Sequence, residues 1–175
     1  HGLGKKPDFM IFKARSTSQG WYCYHKSLGA TKHVVLNTTA AAATETVLFR
    51  NTEPTNEFIN IGGWDVINRN NQDYIAYCWS EIEGFSKFGS YVGNASADGT
   101  FVYCGFKPAL VITKRTDGSS SWLIHDSSRD PVNPVMGNLY AHSSDVEARG
   151  SVRVDFLSNG FKHKNADGGA ANNYA

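Results

Sequence analysis

Gly105 to Asp130 reads GFKPALVITKRTDGSSSWLIHDSSRD, two β-prone runs around a polar turn. Pro108 introduces Ala109-Leu110-Val111-Ile112, rich in β-branched residues, and Thr116 to Ser121 supplies Gly and Ser. Trp122-Leu123-Ile124 then begins the second run, which completes a hairpin signature. The same text occurs near the start of the chain. Gly4 to Gly29 reads GKKPDFMIFKARSTSQGWYCYHKSLG, and a shift of 101 residues brings Gly4 onto Gly105. The shift also matches Lys6 with Lys107, Pro7 with Pro108, Ile11 with Ile112 and Lys13 with Lys114. Ser18, Trp21 and Ser27 fall on Ser119, Trp122 and Ser128. Chance supplies roughly one or two such matches over a window of this length.

A second echo pairs Glu57-Phe58-Ile59-Asn60-Ile61-Gly62 with Asp155-Phe156-Leu157-Ser158-Asn159-Gly160. Each is followed by an Asn/Asp/Gly-rich loop and then a tyrosine, Tyr74 or Tyr174. A unit of about a hundred residues is too long for a solenoid rung, and two copies are too few for one. Residues 1–175 therefore read as a single β-sandwich-type region. Repeat one covers about 1–83, a connector 84–99, and repeat two about 100–175, the last cut short.

Composition narrows the class. Apolar residues at 41% and charged residues at 19% suffice for a core. A net charge of +1 with interspersed signs gives no electrostatic case for nucleic acid or an anionic membrane. No apolar run reaches the roughly eighteen residues of a spanning helix. The three cysteines, Cys23, Cys78 and Cys104, each sit in a strand-like run without CxxC spacing. They read as free thiols packed as small apolar groups, from a chain made in a reducing compartment.

Taken in order, Thr31 to Thr46 reads as a surface loop or one helical turn capped by Asn37-Thr38-Thr39. Val47–Phe49 and Glu57–Ile61 read as strands. Tyr74–Trp79, almost wholly apolar, reads as the centre of a sheet. Thr100–Cys104 and Ser151–Leu157 read as further strands, and Ser143–Glu147 as the start of a short helix. With no sustained helical period, the class is all-β.

These residues carry a family resemblance. The string GFSKFGSYVGNASADGTFVYCGFKPALVITKRTDGSSSWLIHDSSRDPVNP, with DFLSNGFK after it, resembles a repeat domain of marine bacteriophages. That domain is common in tail-fibre and other virion structural proteins of viruses infecting cyanobacteria and other ocean bacteria. HGLGKKPDFMIFKARS, WYCYHKSLG and YIAYCW resemble its preceding unit, so the similarity covers the whole chain. The connector Gly89 to Asn94 and the GFKPALVITKRTD hairpin are its most specific parts. The resemblance implies a concanavalin-like or jelly-roll β-sandwich in a virion appendage, and brings no catalytic motif or cofactor. The family's unit runs on into an apolar strand where this chain stops at Tyr174-Ala175. Hence the expectation that the chain is an excerpt, or that a neighbour supplies the strand.

Trp21 and Trp122 are repeat-equivalent and read either as sugar-stacking platforms or as rings closing each half of the core. Trp79 reads as core or a strand end, and Trp64, after Gly62-Gly63, as the candidate for an exposed binding contact. Lys13 and Lys114 read as solvated edge charges, and Asp126, Arg129 and Asp130 as a local ion pair of small weight. The close acidic pairs Glu81/Glu83 and Asp145/Glu147 read as solvated charges. Carboxylates brought together across strands are invisible to sequence, so a glycosidase stays open. A copper site of His1 with His25, His33, His125, His142 or His163 is the sharpest metal reading, and it is not adopted.

The leading expectation is a non-enzymatic virion structural or adhesion domain without cofactor or metal. Its expected partners are further copies, meeting around Phe85, Phe88 and Tyr91, other virion proteins, and a host surface glycan. The alternative is a carbohydrate-active enzyme on the same scaffold.

Overall fold

The computed structural model describes residues 1–164 and 171–172, with Ser151 as backbone alone. The protein is all-β as expected, with two antiparallel sheets and, among the described residues, one four-residue helical turn. It divides into two compact units, His1–Glu81 and Ile82–Ala175.

Unit one holds β1 (Phe9–Ala14), β2 (Tyr22–His25), β3 (Lys32–Val35), β4 (Ala43–Thr44), the turn α1 (Asp65–Asn68) and β5 (Tyr74–Trp79). The sheet order is β4-β3-β2-β1-β5. Alternation along β1 sends Met10 and Phe12 into a core with Tyr24, Leu48, Phe49 and Ile67. Four sequence expectations are corrected here. Thr31–Thr46 contains two strands, because the β-branched Val34 pairs with Cys23 of β2. Val47–Phe49 is a turn whose Leu48 and Phe49 are nonetheless buried. Gly62 donates to the Leu48 carbonyl, and a Cβ there would lie 1.5 Å from the Val47 oxygen, so only glycine fits. Glu57–Ile61 is irregular, since the Thr55 hydroxyl captures the amides of Glu57 and Phe58 and competes with a ladder. Finally, β5 lies at a sheet edge and pairs only with β1. Its unbroken apolar run resembles that of a buried strand, but Ile75, Tyr77 and Trp79 are exposed.

Unit two holds β6 (Phe101–Tyr103), β7 (Leu110–Lys114), β8 (Trp122–Asp126), β9 (Val135–Tyr140), β10 (Ala148–Leu157) and β11 (Gly160–His163), in the order β6-β11-β10-β9-β8-β7. Val111, Val135, Val154, Phe156 and Phe161 form its core. Residues 84–99, read as a connector, belong to this unit. Tyr91 packs on its core and donates its hydroxyl to the Ala171 carbonyl at 2.6 Å. Ser143–Glu147 is not helical, because the Ser143 hydroxyl turns back to Asp145. Sequence reading missed β9 and β11, whose Gly and Asn content hides their alternation. Asn133 compensates at the start of β9, bonding the Phe156 amide and carbonyl at 2.9 Å each.

The two hairpins share one register. Phe9 faces His25 as Leu110 faces Asp126, and Phe12 faces Tyr22 as Thr113 faces Leu123. Beyond the strands, the Lys26 amide bonds Asp8 and the Ser127 amide bonds Ala109, each at 2.9 Å. Pro7 and Pro108 sit buried at the two strand entrances. The second echo has no such likeness, since residues 57–62 are irregular whereas 155–160 turn from β10 into β11. The counterpart proposed for Tyr74, Tyr174, lies outside the described residues.

Candidate functional site

Unit one presents a row of rings, from half-buried to exposed, on the face of its sheet opposite the core. Since Met10 and Phe12 point inward, Phe9 and Ile11 project to the other face. Register then aligns His25 of β2, Phe9 of β1 and Trp79 of β5 in one cross-strand row. Phe9 and Trp79 stack with centroids 5.6 Å apart and planes 30° apart. Tyr77 continues the stack at 6.1 Å and 18° from Trp79, and His25 meets Phe9 edge-on at 6.1 Å. Tyr77 and Trp79 keep 41% and 40% of their surface in solvent. Nearly parallel rings, half in water, form a platform rather than a core.

A charged cluster closes one end of the platform. The Asp8 amide donates to the Trp79 carbonyl at 2.8 Å, which ties the cluster to the ring. Asp8 also accepts the Glu81 amide at 2.6 Å. Lys26 bridges the two carboxylates, 3.1 Å from Asp8 and in close contact with Glu81. Burial would lower the Lys26 pKa, but hydrogen bonds to Glu81 and Asp8 outweigh it and raise the value. Burial and the Lys26 charge lower the pKa of His25. The Ser27 amide donates to His25 Nδ1 at 3.1 Å, so the neutral ring carries its proton on Nε2. The site thus combines flat apolar faces, an imidazole donor, an ammonium and two carboxylates.

Trp64, the contact singled out from sequence, caps the single helical turn. It packs edge-on against Tyr22 at 5.5 Å and His33 at 5.6 Å, beside the core of unit one. Trp122 is buried, and Trp21 lies partly buried under the Lys13 ammonium at 5.8 Å. Lys13 is not an edge charge, because β1 lies between two strands. Phe9, Tyr77 and Trp79 escaped the sequence reading because only pairing order reveals that β5 is an edge. Asp8, Lys26 and Glu81 are far apart in sequence and meet through the β2-β1-β5 ladder.

Other groups are engaged elsewhere. Arg129 binds Asp126 and Glu147, and Arg149 binds Glu147 and Asp130, which makes one network of five charges. The Asp130 carboxylate also accepts the Met136 and Gly137 amides. The His1 ring lies beside the Thr55 carbonyl at 3.1 Å and accepts the Leu3 amide at 3.3 Å. No group of three or more His, Cys, Asp or Glu side chains suited to a metal occurs among the described residues. The three cysteines are free thiols, and burial pushes Cys23 up to about 12, where it stays protonated and inert.

The family model described as "Domain of unknown function (DUF7483)" matches residues 1–174. The chain belongs to this family. No curated protein and no solved structure matches it. No helix among the described residues is long and apolar enough to cross a membrane.

Proposed function

We propose that this DUF7483 chain is a non-enzymatic adhesion domain of a phage virion, and that it binds a host surface glycan on the Phe9–Trp79–Tyr77 platform. The exposed ring stack carries the reading. Sugar rings present C–H faces that pack on aromatic faces, while their hydroxyls need donors and acceptors at the rim. Asp8, Glu81, Lys26 and His25 Nε2–H supply such groups beside Trp79. The virion setting rests on the sequence resemblance. The finer fold within this reading is a concanavalin-like or jelly-roll β-sandwich grown from two repeats, supported by the common register of the hairpins. A single platform of this size binds weakly, so presentation in several copies on one particle supplies avidity.

Glycan-array binding by the full chain, followed by titration of any captured glycan, tests the proposal. Trp79→Ala should weaken binding at least about tenfold, the scale expected for an aromatic anchor. Unchanged binding in that variant would remove the platform from the reading.

One observation favours the enzymatic alternative: Asp8 and Glu81 flank the same rings. Two carboxylates beside a sugar-sized platform are the minimum for glycoside hydrolysis. Against it, one lysine is shared between them, so both carboxylates are engaged in ion pairs. Release of reducing ends from a bound polysaccharide, abolished by Asp8→Asn or Glu81→Gln, would establish hydrolysis in place of adhesion.

A further inference from the structure

The core of unit two contains polar side chains that have no hydrogen-bond partner among the described residues. His125, Asn138 and His163 are fully buried, and Thr113 nearly so. Both ring nitrogens of each histidine, both amide atoms of Asn138 and the Thr113 hydroxyl make no hydrogen bond. The backbone of Val152 lies near enough to His125 to favour its charged form, without reaching hydrogen-bond geometry. Nearby Asn172, equally buried, accepts from the Asn94 and Thr100 amides and donates to Asn94 Oδ1 and the Ser96 carbonyl. Burial in this unit is therefore compatible with full pairing, and the histidine cluster departs from it.

The cluster gathers residues from four strands. His125 faces Val111 across β7–β8, and Thr113 lies two residues further along that face of β7. Asn138 stands on β9, and His163 stands on β11 opposite Val154. The His163 ring stacks on Tyr91 at 5.1 Å and meets Phe161 edge-on at 5.5 Å. The two imidazoles are close enough that charge on His125 disfavours charge on His163.

We propose that the cluster is an acid-responsive switch, in which protonation of His125 and His163 opens unit two while unit one remains folded. The groups facing the pair can be named strand by strand. Arg129 opposes a charge on His125, while Asp126 and Asp130 favour it. Those carboxylates are already held by Arg129 and Arg149. His125 is the titratable group that acts on His163, whose β11 neighbour Lys162 pairs with Asp98. Lys164, just past β11, pairs with Asp155. Val111 and Thr113 of β7, Val135 and Asn138 of β9, and Val152 and Val154 of β10 bring no ionisable side chain. Among the described residues, an imidazolium formed here would be buried without a counter-ion.

Burial holds both rings neutral, with pKa values pushed down from the ordinary 6.5 to about 4. The unfolded chain takes up protons that the folded unit refuses. Stability is therefore unaffected above the unfolded value and falls as pH drops from 6.5 towards 4. In that window the unfolding equilibrium rises by at most about tenfold per pH unit for each ring. In unit one, His25 and His33 are also lowered, but Asp8 and Glu81 counteract the shift at His25, Glu45 counteracts it at His33, and one His33 ring nitrogen is not orphaned.

Hydrogen exchange of the full chain, corrected for intrinsic rate, tests the switch between about pH 7.5 and about pH 4.5. Peptides covering β8, β9 and β11 should lose protection steeply, while those covering β1 and β2 should lose markedly less. The double variant His125→Gln/His163→Gln should flatten that dependence. Parallel loss in both units, or an unchanged slope in the variant, would overturn the proposal. Should the variant fail to fold, NMR titration of the wild-type rings decides. Rings that stay neutral until unit two opens support the switch, and rings that titrate near 6.5 within an intact fold refute it.

Discussion

The hairpins β1–β2 and β7–β8 have the same register at a shift of 101 residues, yet their core-facing side chains live in different chemistry. Met10, Phe12, Tyr22 and Tyr24 of the first correspond to Val111, Thr113, Leu123 and His125 of the second. In unit one, Phe12 packs on Phe49 at 5.7 Å, and the buried Tyr24 donates its hydroxyl to Glu53 at 2.6 Å. Glu53 also accepts the Ala30 amide at 2.7 Å and pairs with Lys6 at 2.9 Å. The equivalents in unit two, Thr113 and His125, have no such partner among the described residues. A shared backbone register sets which positions face inward and leaves open whether their polar atoms are satisfied. That depends on what another segment brings to them, here the loop that carries Glu53.

The contrast is most easily broken at the Phe12/Thr113 pair. Phe12→Ala should cost about 3–5 kcal/mol, because it removes a fully buried ring from a packed core. Thr113→Val removes an unpartnered hydroxyl at similar volume and should be neutral or stabilising, within about 1 kcal/mol. Urea unfolding of both variants measures this, and comparable losses would mean that the hydroxyl has a partner. A smaller effect is expected at Glu53. Glu53→Ala orphans the Tyr24 hydroxyl and the Ala30 amide, a loss of about 1–3 kcal/mol.

The Glu53 carboxyl also separates the units by pH. Burial would raise its pKa, but hydrogen bonds from Tyr24, Lys6 and the Ala30 amide lower it below the ordinary 4.5. Its contribution is thus intact above 4.5 and lost only as pH falls through the lowered value. The pKa values of His25 and His33 are lowered as well, so unit one should also weaken below pH 6.5, but less than unit two, whose two rings are pushed down to about 4. Urea midpoints at about pH 5 and about pH 3 should differ less in Glu53→Ala than in wild type.

The finest comparison is between the equivalent lysines. Lys13 lies over the Trp21 ring and donates to the Gln19 carbonyl at 2.8 Å, so Lys13→Met should cost about 0.5–1 kcal/mol. Burial beside Arg115 pushes Lys114 down to about 8, against Asp117. Since the unfolded chain holds that proton more tightly, wild-type stability should rise between about pH 8 and about pH 10.5. Lys114→Met should remove the rise and cost nothing at neutral pH. A matching loss in both variants would make the two lysines alike in role as well as in position.

Much of this was readable in the chain. Pro, the β-branched runs and the Gly/Ser turn announced both hairpins, and the repeated text announced their common register. The unbroken Phe9-Met10-Ile11-Phe12 run announced a strand but not which of its faces turns inward. By contrast, Tyr74–Trp79 looked central because every residue but Cys78 and Ala76 is large and apolar, and an unalternating run marks a strand without saying how many neighbours it has. Leu48 and Phe49 looked like a strand and proved to be a buried turn. Glycine and asparagine masked β9 and β11. Local sequence thus determined the hairpins and the all-β class, because those follow from dihedral preference and turn chemistry. Only tertiary structure decided that β5 is an edge bearing an exposed ring stack, that Asp8, Lys26 and Glu81 meet beside it, and that His125 and His163 are buried without partners among the described residues. Each of these depends on contacts between residues distant in sequence, which local preference does not encode.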